Sequence, residues 1–201
     1  MANIVYFTMF VLSVLNIILL SIVVKQQRCF YPVTLFMLIS VSCFGYVTMA
    51  NASNVPVALL GNIMTYFGAC FLPYCFLLCI SELCQTPVKK WMSLLMFAYN
   101  AAVFYLVWIT LDGVTLYYAD MELIQRGGIS MLVTQPGPLR ILYEISVVFY
   151  AIAVVGVIIH AFRTNKNISY KNLWMLISLE LITMVIYAYE KIFDHTVDWV
   201  C

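Results

Sequence analysis

Residues Val57–Ile80 read VALLGNIMTYFGACFLPYCFLLCI, a run without a single Asp, Glu, Lys or Arg. Coiled as a helix at about 1.5 Å per residue it is ~36 Å long, enough to cross about 30 Å of hydrocarbon. Outward from it the same pattern recurs: Tyr31–Ala50 and Ile4–Val24 on one side, then Val88–Leu111, Leu139–Phe162 and Leu173–Tyr189 on the other. The connections are Lys25–Phe30, Asn51–Pro56, Ser81–Pro87, Asp112–Pro138 and Arg163–Asn172, of which only Asp112–Pro138 is long. The fold this predicts is an all-α polytopic transmembrane helical bundle of about six helices, with residues 1–201 forming one transmembrane domain.

Composition supports the same reading. The chain is 65% hydrophobic and 9% charged, whereas a soluble domain carries roughly a quarter charged residues. The mean hydropathy of +1.00 is spread over the whole chain and not concentrated in one anchor. Ile4–Val24 lacks a basic leader, is longer than a signal-peptide core and is followed by no A-x-A-like site, so it is expected to stay as the first span. A net charge of +1 without a long basic run argues against nucleic acid as a partner. Most of the seven cysteines (Cys29, Cys43, Cys70, Cys75, Cys79, Cys84) fall in apolar segments or near one membrane face, which gives no disulfide framework.

Lysine and arginine set the orientation, because they are retained on the cytoplasmic side. Lys25, Arg28, Lys89, Lys90, Arg163, Lys166 and Lys171 fall on one face of the predicted bundle, and Arg126, Arg140 and Lys191 on the other. Seven against three places the N-terminus outside. All four tryptophans (Trp91, Trp108, Trp174, Trp199) sit at predicted helix ends, where their rings favour the headgroup layer. The long loop then lies outside. Its β-prone runs Met121–Arg126 and Ile129–Thr134 flank Gly127-Gly128, a two-residue turn signal, and predict a small external hairpin. Gln135-Pro136-Gly137-Pro138 is expected to end any extended structure and to start the fifth span. Pro73 is expected to kink the third.

Two acids are predicted within the membrane, Glu144 in the fifth span and Glu180 in the sixth. An ionised carboxylate there costs a few kcal/mol or more unless paired or wetted, so both are candidate ligand-binding residues. Arg140 stands one helical turn before Glu144, which makes a structural ion pair the competing reading. Cys70, Cys75, Cys79 and Cys84 share a helical face too poorly for a metal site and read as small packing thiols. His160 and His195 fall at opposite faces and cannot share a ligand. No zinc-protease, nucleophile-elbow, P-loop or dinucleotide motif occurs, so neither a catalytic residue nor a cofactor is expected.

Gly61-Asn62 through Tyr66-Phe67-Gly68 and Phe71-Leu72-Pro73, with Gly137-Pro138-Leu139 leading to Tyr143, resemble the N-terminal seven-transmembrane region of bacterial sensor histidine kinases and related diguanylate cyclases. The resemblance runs from about Ile4 to the C-terminus. It implies a sensory input module in the plasma membrane of a bacterium for a small external or membrane-borne ligand, brings Tyr143 into the candidate ligand-binding site with Arg140, Glu144 and Glu180, and implies dimerisation and a cytoplasmic output domain. Residues Glu190–Cys201 are too short for a seventh span, so that helix and the output domain are expected to be missing from this chain. The alternative is a small transporter or channel that binds an ion or proton at Glu144 and Glu180.

Overall fold

The computed structural model describes residues 7–8, 10–12, 14–18, 30–126 and 129–164. The described part of the first predicted span is helical, and Phe10 stacks on Phe44 at 5.6 Å. Four long helices follow: α1 (Phe30–Ala50), α2 (Val55–Leu83), α3 (Lys90–Trp108) and α4 (Arg140–Thr164). A 3-10 turn over Ile109–Asp112 extends α3, and the hairpin β1 (Tyr118–Arg126) and β2 (Ile129–Pro136) lies between α3 and α4. With its 3-10 extension in the case of α3, each of the four is long and apolar enough to cross a membrane. They match the second to fifth predicted spans to within a few residues at each end. The sixth predicted span, with Glu180, lies outside the described residues.

Local chemistry explains where the helices begin and end. The side chain of Asn54 caps α2 by accepting from the Val57 N–H at 3.0 Å, and Pro56 occupies the first turn, where its missing N–H costs nothing. At its other end Thr86 N–H donates to the Ser81 carbonyl and Gln85 N–H to that of Glu82, each at 3.0 Å. This is the Schellman arrangement, with Gln85 at φ 54° in the left-handed position that glycine usually fills. Helix α2 continues through Pro73 without interruption.

Helix α2 is the hub. Over half of its most apolar window is buried (56%), against 22–28% for the other three, so the other elements pack around it. Its N-terminal half meets α1 at backbone range: a Cβ on Gly61 would stand 2.7 Å from Met49 N and 2.8 Å from the Gly45 carbonyl. Without hydrophobic drive between helices in lipid, such small-residue seams supply dispersion contacts that hold spans together. The outward faces of α3 and α4 carry large exposed apolar side chains such as Leu94, Leu95, Ile152 and Phe162, as lipid contact requires.

The hairpin forms where the sequence predicts it, but it is longer. Strand β2 runs through Pro136, which pairs with Tyr118, so the Gln135-Pro136 step does not end the strand. Proline is tolerated there because it is the last residue of a two-stranded edge and no further ladder bond is needed. The register slips between Tyr118 and Asp120. At the hairpin base Gly137 N–H donates to the Tyr117 carbonyl (2.8 Å) and Leu139 N–H to that of Leu116 (3.1 Å). The start of α4 is thereby tied to the strand entry. The Ser130 hydroxyl donates to the Ala52 carbonyl, seating the hairpin on the α1–α2 turn.

Gly61→Val should lower thermal stability by about 1–3 kcal/mol, because both obstructing atoms at Gly61 are backbone and no rotamer relieves the clash. Gly156→Ala, whose Cβ would meet nothing within 4 Å, should be neutral or mildly stabilising in the same detergent unfolding assay.

Candidate functional site

Four tyrosines converge where the hairpin meets the bundle. Tyr66 projects from α2, Tyr117 and Tyr118 come from the strand entry, and Tyr143 from the first turn of α4. The Tyr66 ring lies 5.4 Å from Tyr117, 6.2 Å from Tyr118 and 5.4 Å from Tyr143, all edge to face, and Tyr117 meets Tyr118 at 4.9 Å. Such T-shaped pairs contribute about 0.5–1.5 kcal/mol each beyond area burial. Adjacent residues in a regular strand point to opposite faces. Here both Tyr117 and Tyr118 are fully buried, because Tyr117 precedes the strand and the ladder slips just after Tyr118.

The two phenols have different polar environments. Tyr118 Oη accepts from Asn62 Nδ2 at 2.7 Å, one helical turn from Tyr66 on α2. Tyr117 Oη is buried with no hydrogen bond of good geometry among the described residues, although the Tyr66 hydroxyl is close enough to act on it both electrostatically and as a weak hydrogen-bonding neighbour. Burial, reinforced by Tyr66, drives both phenols far above their usual range. For Tyr118 the Asn62 hydrogen bond and the charge of Arg140 act in the opposite direction without reversing it. Both therefore stay protonated, and the Tyr117 O–H makes no well-formed hydrogen bond among the described residues.

Arg140, the first residue of α4, is partly buried beside this cluster, within electrostatic reach of Tyr66, Tyr118, Tyr117 and Glu144. Of the four candidate residues from the sequence, Arg140, Tyr143 and Glu144 are thus in one place. Glu144 is partly exposed one turn along α4. Glu180 lies outside the described residues. Asn62, Tyr66, Tyr117 and Tyr118 were not among the candidates. Beyond its place in the family-like stretch, the sequence signal for Asn62 is a carboxamide inside an otherwise apolar run, and tyrosines at such positions more often serve packing.

A second buried polar contact lies further along the bundle, where Asn100 Nδ2 donates to Tyr150 Oη at 2.7 Å. Beside it, an apolar cavity of about 410 Å³ between α3 and α4 is bordered by Leu95, Tyr99, Ile145, Ser146 and Tyr150. That volume suits a small molecule. Among the described residues no group of three His, Cys, Asp or Glu side chains is placed to hold a metal, and Cys70 and Cys75 are buried in the main core cluster.

Tyr118→Phe should cost about 1–3 kcal/mol by stranding the buried Asn62 amide, and Asn62→Leu a similar amount by stranding Tyr118. The double variant should cost less than the sum, since each single change leaves one unsatisfied polar group. A double-mutant unfolding cycle measures this directly.

Comparison with known proteins places this arrangement in a family. No curated protein and no solved structure matches the chain. The family described as the N-terminal 7TM region of histidine kinase matches residues 7–200, nearly the whole sequence. The chain belongs to the N-terminal seven-transmembrane region family of histidine kinases.

Proposed function

We propose that this chain is the membrane-embedded sensory input module of a bacterial signal-transduction protein of the histidine kinase or diguanylate cyclase type. In this reading the N-terminus and the hairpin face outward, as the seven-to-three distribution of Lys and Arg supports. A small ligand, external or membrane-borne, is received under the hairpin by Tyr117, Arg140, Tyr143 and Glu144, with Glu180 assigned to the same site from its predicted depth. Catalysis then belongs to a cytoplasmic output domain and not to these residues.

The observation that carries the proposal is a buried Tyr117 hydroxyl without a well-formed hydrogen bond among the described residues, within electrostatic reach of the Arg140 guanidinium. Leaving a buried hydroxyl unsatisfied costs about 1–3 kcal/mol, which a ligand acceptor recovers on binding. A cation and an O–H donor together fit a carboxylate, and the apolar cavity beyond Ile145 offers room for a hydrocarbon body. A ligand seated there touches α2, the hairpin base and the start of α4 at once. Differential binding to two arrangements of those elements is what converts occupancy into a signal.

The test is thermal unfolding of the full chain in lipid nanodiscs against acetate, benzoate and octanoate. At least one acid should raise Tm by about 5 °C at saturation, and Arg140→Gln should flatten the response. A panel with no effect, or a shift that survives Arg140→Gln unchanged, would contradict an acid-binding site at this position.

A further inference from the structure

At the end of the bundle opposite the hairpin, the turn between α2 and α3 and the last turns of α4 enclose a cavity of about 670 Å³. Arg140 and His160, at the two ends of α4, are 20 residues apart, about 30 Å of helix and so about one hydrocarbon thickness. The cavity therefore sits at the level of a headgroup layer, and Trp91, 60% exposed on the first turn of α3, lies at the same level. We propose that this cavity binds the phosphate of an anionic phospholipid headgroup, a site separate from the one under the hairpin.

Its lining has the chemistry for that ligand. Lys89 supplies a positive charge and His160 a ring N–H, while Gln85 and Thr86 add neutral donors; no carboxylate among the described residues borders the cavity. The Thr86 hydroxyl is buried without a hydrogen-bond partner among the described residues. Gln85 holds a left-handed backbone at a position where glycine is ordinarily found, at a cost of about 1–2 kcal/mol. A lysine ammonium and an imidazole beside two neutral polar side chains fit a bound anion, to which charge-assisted hydrogen bonds are the strong ones.

Apolar walls from Met92 and Val157 favour a lipid over free phosphate, which has no apolar part to place against them. Gly156 leaves space, since a Cβ there would meet nothing within 4 Å, and the glycerol end of a lipid can enter it. Basic pockets between spans on the cytoplasmic side are where anionic headgroups are held in membrane proteins generally.

Native mass spectrometry of the full chain in nonionic detergent, with phosphatidylglycerol or phosphatidylcholine added, tests this. Phosphatidylglycerol adducts should exceed phosphatidylcholine adducts about tenfold, and millimolar inorganic phosphate should not displace them. The combined Lys89→Gln and His160→Gln variant should abolish the preference, whereas Lys90→Gln, outside the cavity lining, should keep it. Gly156→Leu extends a side chain from a position where a Cβ meets nothing within 4 Å and raises helix propensity, so it should block retention in a folded protein even if the double variant does not fold. Equal retention of the two lipids, displacement by inorganic phosphate, or a preference that survives Gly156→Leu would each overturn the assignment.

Discussion

The Asn62–Tyr118 hydrogen bond, buried and 2.7 Å long, joins the central helix to the strand that leads into the hairpin. Around it the Tyr66 ring packs against three other tyrosines drawn from two further elements. Inside a membrane every polar group must find its partner within the protein, and a carboxamide in the middle of an apolar helix has few choices. Here it finds a phenol from a loop 56 residues away. That contact sets where the hairpin sits, and the base of the hairpin, through Gly137 and Leu139, sets where α4 begins. The position of Arg140 is fixed in turn.

A receptor site needs groups held rigidly but incompletely satisfied. The tyrosine cluster has both properties: its rings are locked edge to face, yet one hydroxyl has nothing to donate to among the described residues. The seam at Gly61 fixes α1 against α2 on one side of the cluster, and the hairpin closes it on another. Helix α4 starts at the cluster and runs on toward the C-terminal side of the described residues.

Much of this architecture is legible in the sequence. Apolar run length alone located α1 to α4, because bilayer thickness imposes a length that no other constraint imitates. Gly127-Gly128 between β-prone runs located the hairpin, and Gly61-Asn62 to Pro73 carried the family resemblance that the match over residues 7–200 bears out. The tyrosine cluster was not legible. Tyr66 belongs to an apolar run that is buried on most sides, so no periodicity separates a packing ring from a site ring. Tyr117 and Tyr118 face inward together because Tyr117 precedes the strand and the register slips just after Tyr118, and the sequence Leu116-Tyr117-Tyr118-Ala119 carries no mark of that. Arg140, Tyr143 and Glu144 stood out because charge in a membrane helix is rare, whereas an unused hydroxyl is invisible without its surroundings.

The central claim is that the buried Tyr117 hydroxyl has no well-formed hydrogen bond among the described residues. Its most direct test is the unfolding stability of Tyr117→Phe without added ligand, in the same lipid as wild type. Removing an unsatisfied hydroxyl and keeping the ring should leave the variant as stable or more stable, by up to about 1–3 kcal/mol. A loss of stability of that size would mean that the hydroxyl already has a partner, and would contradict the account.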